Sequence, residues 1–321
     1  MHKGIASISV AAAILVAPAI AQDTYPTKPV RMLVPLSAGS ATDLLARDIG
    51  QKLTEAWGQQ VVIDNRPSAA GVIAGEITAR AAPDGYTLMM VSTGHAVNAT
   101  LYRKLPYDTI KDFSAIALAA EAPNLLVATP SLGVKSARDL IALAKARPGQ
   151  INYASGGIGS GTHMVAEQFK HEAGIDVVHI PFKGTPEALT STIGGATQYF
   201  FAPVTVAVPL VKSGKLTGVG MTSRARSPVA PDIPTVMESG LSGFEFYFWL
   251  GLVGPANMPV ALKQKISAEV LRILALPEIK ERLLSQGATP HPMPPGKFDA
   301  FITAEVARLG KVIKASGMRA D

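Results

Sequence analysis

The sequence contains no cysteine among its 321 residues. That excludes a disulfide scaffold, a thiolate zinc site, an iron–sulfur cluster, a cysteine nucleophile and the lipid anchor of a processed lipoprotein. Charged residues are also scarce, at 17% against 48% hydrophobic, too few for a disordered chain. The basic surplus is small, with 30 Lys+Arg against 24 Asp+Glu and no basic run. It suits small anions and gives no footprint for nucleic acid. Enzyme signatures are missing too. There is no Gly-x-Ser-x-Gly elbow and no Gly-Lys-Ser/Thr, and Gly157, Gly159 and Gly161 miss the dinucleotide-binding spacing. His163 and Glu167 stand one helical turn apart with no third metal ligand at a suitable spacing, and the remaining histidines are scattered. Nothing in the residues calls for a metal or a cofactor, and nothing argues positively for an enzyme.

What is present begins with a leader. Lys3 precedes an apolar stretch from Ile5 to Ile20, and Ala19-Ile20-Ala21 supplies small residues at both positions a signal peptidase reads. Residues 1–21 are therefore expected to be a cleaved signal peptide that sends the chain to a periplasm. The alternative is a membrane anchor; Pro18 and a length below the ~20 apolar residues of a span count against it.

The rest alternates short apolar runs with amphipathic stretches, the pattern of α/β proteins. Strands are expected at 30–34, 61–63 and 86–91, with helices between them, so the order is βαβαβ and the sheet largely parallel. After a strand at 125–128 the pattern restarts. Ser136 to Asp139 reads as a capping box. Strands follow at 152–154, 177–180, 199–201 and 216–222, with helices between. A strand at 246–253 and C-terminal helices at 260–274, 278–284 and 298–314 are expected to return to the first half. The order implies two α/β lobes, each a mostly parallel sheet flanked by helices, with a discontinuous first lobe (22–125 plus 247–321) and a second (126–246), joined by two crossing strands that act as a hinge.

Each half opens a helix from a loop of small residues: Pro35-Leu36-Ser37-Ala38-Gly39-Ser40-Ala41-Thr42-Asp43 in the first, and Ser155-Gly156-Gly157-Ile158-Gly159-Ser160-Gly161-Thr162-His163 in the second. Small residues let backbone N–H groups approach a ligand, and a helix N-terminus carries unsatisfied donors and partial positive charge. Both loops fall at the carboxyl ends of strands, where open parallel sheets bind ligands. Facing each other they would form a pincer for an anion; ordinary strand-to-helix turns are the other reading. Ser160 and His163 stand one turn apart at a helix start, where a cap is favoured over a nucleophile and base.

These residues resemble the substrate-binding receptors of tripartite tricarboxylate transporters, the Bug-type periplasmic receptors, from Tyr25 to the C-terminus. The resemblance rests on Tyr25-Pro26-Thr27-Lys28-Pro29-Val30-Arg31, the loop to Asp43, Val62-Ile63-Asp64-Asn65-Arg66-Pro67, Pro83-Asp84-Gly85-Tyr86-Thr87-Leu88, and Leu105-Pro106-Tyr107-Asp108. It continues in Tyr153-Ala154-Ser155, Gly159-Ser160 with His163, Pro181-Phe182-Lys183-Gly184, and Trp249-Leu250-Gly251-Leu252 with Pro255. It implies a Venus-flytrap fold and a monomeric receptor without chemistry, which binds a small carboxylate and delivers it to inner-membrane permease subunits. A sensory module docking on a membrane kinase would carry the same site, and an exported hydrolase is the remote alternative. The resemblance places the ligand carboxylate on Ser37, Ala38, Gly39, Ser40, Thr42 and Asp43 and on Ser155, Gly156, Gly159, Ser160, Thr162 and His163. Gly39-Ser40 departs from the paired glycines common in that family. That substitution adds a hydroxyl to the pincer or, since Ser40-x-x-Asp43 is itself a capping box, makes Ser40 a cap, the favoured reading; Asp43 is read as bonding backbone or water. Ser92, Thr93 and His95 after the third strand, Lys183 and Gly184, and Phe201 and Ala202 are expected to wall the pocket. The last two make its far end less polar, suited to an aliphatic or aromatic dicarboxylate.

Overall fold

The computed structural model describes residues 25–68 and 71–319; the leader read at 1–21 lies outside them. The first lobe opens β1 (Val30–Val34), α1 (Ala41–Trp57), β2 (Val61–Asn65), α2 (Val72–Ala79), β3 (Thr87–Ser92), α3 (Thr93–Leu101). β1 lies between β2 and β3, and both pairings are parallel, so α1, α2 and α3 all start at the same sheet edge. The second lobe repeats the plan with α4 (Ala137–Ala146), β5 (Asn152–Ser155), α5 (Gly161–Ala173), β6 (Val178–Pro181), α6 (Thr185–Ile193), β7 (Tyr199–Pro203), α7 (Val204–Lys212), β8 (Thr217–Met221) and the short α8 (Val236–Ser239). Here β5 lies between β6 and β7, again parallel.

The strand expected at 125–128 is the end of a much longer one. β4 runs from Phe113 to Ala128 and belongs to both lobes. From Phe113 to Pro123 it pairs antiparallel with β9 (Tyr247–Pro255); from Asn124 to Ala128 it pairs antiparallel with β7. Its first half reads poorly because Ser114 to Ala120 is rich in alanine, a good helix former. Burial of nearly the whole strand on both faces decides the matter. The crossing strands bring antiparallel pairs, so each sheet is mixed, with its parallel strands on one side of β4. Helices α9 (Val260–Leu274) and α10 (Pro277–Ser285), strand β10 (Thr289–Met293) and α11 (Pro295–Ser316) complete the chain. β10 pairs with β4 in the first lobe, and its two prolines hid it in the sequence.

Three apolar clusters fill the layers. One packs α1, α9 and α10 on one face of the first sheet, and one packs α6 and α7 on the second. The third runs through both lobes, from Met89 and Phe113 through Trp249 and Phe298 to Tyr153, Phe169, Phe201 and Phe244. Polar bonds fix the same side. Trp249 Nε1 donates to Glu305 on α11, 3.1 Å, and Arg308 on the next turn donates to Gln168 of α5, 3.0 Å.

At the crossing, the buried hydroxyl of Thr222 accepts the N–H of Asn124, 2.8 Å, and donates to the carbonyl of Phe246, 2.7 Å. Thr222 N–H donates to Asn124 O and Phe246 N–H to Thr222 O, 2.9 Å each. One side chain thus ties together the two segments that pass between lobes. Thr222→Val keeps the shape and leaves a buried donor and acceptor unpaired, so it is expected to cost about 1–3 kcal/mol. Urea unfolding checks this; an unchanged midpoint would show that the hydroxyl is dispensable.

Candidate functional site

α1 starts at Ser40, whose extended backbone (φ −68°, ψ 157°) turns the side chain back to accept the N–H of Asp43, 3.3 Å. Asp43 is almost fully buried. Its Oδ2 accepts from Gly39 N–H and from Arg47 Nε, and its Oδ1 from Asn65 Nδ2, all at 2.9 Å. Burial pushes the Asp43 carboxyl up; the bonds from Arg47, Gly39 and Asn65 and the Arg47 charge outweigh it and hold the group below the ordinary carboxylate range. The full capping box read at Ser40 and Asp43 is half formed. The carboxylate takes the N–H of Gly39, and Ser40 N–H goes to Ser37 O, 3.2 Å. The box at Ser136 and Asp139 behaves alike, with Asp139 bonding Lys135 N–H. The reciprocal pair forms where the acid is the longer glutamate, at Thr235 and Glu238.

α5 starts in the same way. Ser160 (φ −67°, ψ 159°) accepts His163 N–H, 3.2 Å, and Ser160 N–H goes to Gly157 O, 3.2 Å. Gly159 N–H donates to His163 Nδ1, 3.2 Å, as Gly39 N–H does to Asp43. Gly39 and Gly159 have φ of +81° and +76°, a conformation that favours glycine. Position by position, Ser37, Gly39, Ser40 and Asp43 correspond to Gly157, Gly159, Ser160 and His163. The difference is chemical, a carboxylate in one loop and an imidazole in the other. Because Nδ1 accepts, the ring proton of His163 sits on Nε2. The ring stacks on His179 at 3.9 Å, His179 stacks on Tyr153 at 4.8 Å, and the Tyr153 hydroxyl donates to Glu167. Burial pushes His163 down to about 3 and His179 to about 4, so both rings are neutral at ordinary pH. The second helix start therefore has no formal charge in its cap.

Ser37, Ala38 and Gly39 are exposed at the first loop, and Thr42 is buried with a hydroxyl that has no protein partner. Ser155 is buried, and its Oγ lies 2.6 Å from His179 Nε2 and accepts Gly157 N–H at 3.1 Å, so it supports the loop from beneath. The Thr162 hydroxyl accepts Gly156 N–H, 2.9 Å, and Gly156 backs onto Gly184 at the start of α6. Lys183 is exposed on that neighbouring loop. Three expectations are corrected. Ser92, Thr93 and His95 do not form an open wall: they begin α3, where the Thr93 hydroxyl accepts Trp249 N–H, 3.1 Å, and the His95 ring is buried against Phe113 and Tyr107. Phe201 lies inside β7, fully buried between Phe169 and Phe244. Ala202 is fully buried in the cluster on the other face. Burial by α11 and by the aromatic core, and for Ala202 by the α6 and α7 layer, is invisible to strand counting and keeps these residues inside. The supporting residues Arg47, Asn65, Tyr153, Glu167 and His179 were missed. Arg47, four residues after Asp43, and Glu167, four after His163, carried a local signal, the latter read only as a metal pair.

The chain matches the model of the tripartite tricarboxylate transporter family receptor over residues 45–318. It is 32% identical to Protein BugT of Bordetella pertussis over 97% of this chain and 96% of that one. In structure it is similar to R. palustris Rpa4515 with adipate (TM-score 0.84, 33% identity, 92% of this chain and 99% of that one). It is also similar to MatC from Rhodopseudomonas palustris with bound malate (TM-score 0.81, 31% identity, 90% and 100%). The architecture is that of the two-lobed periplasmic binding proteins. The chain belongs to the tripartite tricarboxylate transporter receptor family, and is a solute-binding receptor and not an enzyme. Among the described residues no helix is long and apolar enough to cross a membrane.

The buried histidines set an acid response. Burial holds His95, His163 and His179 down at about 4, 3 and 4 against an ordinary 6.5. The unfolded chain takes up these protons as pH falls below about 6.5 while the folded chain does not, so stability is full above that pH and drains toward 4 and 3. Thermal melts between about pH 7 and about pH 4 are expected to show Tm falling with acid, and His95→Phe to flatten the slope. A Tm independent of pH would contradict this.

Proposed function

We propose that this chain, exported through the leader at 1–21, is a monomeric periplasmic receptor. It binds a small dicarboxylate between the lobes formed by 22–125 plus 247–321 and by 126–246, and delivers it to the membrane permease of its transporter. The observation that carries this reading is the matched pair of capped helix starts, one per lobe, at the carboxyl ends of the parallel strands. In each, the cap and the residue three positions on consume the donors that would otherwise point elsewhere. The first-turn N–H groups of Ala41, and of Gly161 and Thr162, none of them in fully buried residues, are then the donors for an outside acceptor. The two solved relatives with adipate and malate support a dicarboxylate as the ligand class.

Closure follows if the ligand bonds better to both starts together than to either alone, since a ligand shifts a conformational equilibrium only by its differential affinity. The Asp43 charge, shared among Arg47, Asn65 and Gly39 N–H, leaves the first start weakly repulsive; the neutral His163 leaves the second free of repulsion. Ser37, Ser40, Ser160 and Thr162 are the polar side chains at the loops, and Lys183 is a cation within reach of the second loop.

Isothermal titration of residues 22–321 against mono-, di- and tricarboxylates is expected to show binding of a dicarboxylate with no product formed. Ser160→Ala should weaken it about tenfold, while loss of the helix cap costs about 1 kcal/mol of stability. Unchanged affinity in that variant would overturn the pincer, and no binding of any carboxylate would overturn the receptor reading.

A further inference from the structure

Gly161, the first residue of α5, is a glycine for a reason outside its own loop. Its backbone is not among those at positive φ, so the conformation suits any residue. A methyl group placed on it would fall 2.8 Å from Cδ2 and 3.4 Å from Cε2 of Phe248. The Phe248 ring therefore rests directly on the helix start that the receptor reading assigns to the ligand. Phe248 lies on the crossing strand β9, opposite Ala122 of β4. Side chains alternate along a strand. Trp249 points toward α11, bonded to Glu305 and packed on Phe298 and Phe301, so Phe248 points to the other face. There it packs against the apolar cluster that contains Leu45, Ala46 and Ile49 of α1. One ring thus packs on the apolar layer of the first lobe, to which α1 belongs, and on the first residue of the second helix start, and it is only half-buried.

We propose that Phe248 is a specificity-determining residue. It forms the floor of the cleft between the two helix starts, the surface on which the middle of the ligand lies while the starts hold its carboxylate. This rests on the receptor reading. The ring edge and face offer contact to methylene groups and no ordinary hydrogen-bond partner to a hydroxyl. A hydroxyl carried by the spacer of a dicarboxylate would lose its water against the ring and gain nothing in exchange. Phe248 therefore favours a dicarboxylate with an unsubstituted, apolar spacer over a hydroxylated one. The buried Phe201 and Ala202, to which sequence reasoning gave that role, have no surface to supply it.

The test is isothermal titration of the mature chain and of its Phe248→Ser and Phe248→Leu variants with adipate, succinate and malate as probes. The intact protein is expected to bind the better unsubstituted dicarboxylate about tenfold or more tightly than malate, in the range one apolar contact is worth. Phe248→Ser should bring the ratio close to one, and Phe248→Leu, which keeps an apolar floor and serves as the folding control, should retain a preference of the same sign. Equal affinities in the intact protein, or a ratio unaltered in Phe248→Ser, would overturn the proposal while leaving the receptor reading in place. Failure of the intact protein to bind any of the three, or any other carboxylate, would instead remove that reading, and this proposal with it. A separate measurement reads the contact itself: Gly161→Ala should lower Tm, and adding Phe248→Ala should restore most of the loss, because the ring is what the new methyl meets. No restoration would show that the ring does not confine Gly161.

Discussion

The hydroxyl of Thr222 holds the two crossings of the chain together, and the relative placement of everything else follows from that junction. β4 passes from one sheet to the other at Pro123 and Asn124, and β9 enters the first sheet at Tyr247; Thr222 bonds to Asn124 on one side and Phe246 on the other. In each lobe the parallel strands bring their carboxyl ends, and with them the start of α1 or of α5, to one sheet edge. The α11 face is further tied by Arg308 and Gln168 and by a continuous aromatic core.

The two helix starts solve one local problem with different chemistry. Each needs an acceptor at its third position for a glycine N–H two residues before the first helical residue. A carboxylate does this in the first lobe and must be neutralised there, which Arg47 and Asn65 accomplish. A neutral imidazole does it in the second, and its tautomer is set by the bond it accepts. The cost of the second solution is a stack of buried rings, His163, His179 and Tyr153, in which Ser155 meets His179 and Glu167 meets the Tyr153 hydroxyl. It also makes the second loop sensitive to acid, since a protonated His163 could no longer accept from Gly159.

The helix starts were legible in the sequence because capping is a short-range event: Ser40 with Asp43 and Ser160 with His163 sit three residues apart, and glycines mark the turns. The alternation of strand and helix was legible for the same reason. What could not be read depends on partners far along the chain. The alanine-rich first half of β4 is a strand because β9 and β10 flank it. His95 and Phe201 face inward because α3 packs on α11 and because Phe169 and Phe244 enclose the β7 strand. The partner of Asp43 turned out to be Gly39 and not Ser40, a matter of side-chain reach that the capping-box pattern does not encode. The need for glycine at 161 lies in the same class, since the Phe248 ring that confines it is 87 residues away.

On the proposed function, a carboxylate draws the two lobes together around the paired helix starts. Small-angle X-ray scattering of the mature protein, alone and saturated with a dicarboxylate shown to bind, reads that movement. The saturated sample is expected to have the smaller radius of gyration, with the ligand recovered chemically unchanged. An identical scattering curve with the ligand bound would mean that binding and lobe movement are not coupled.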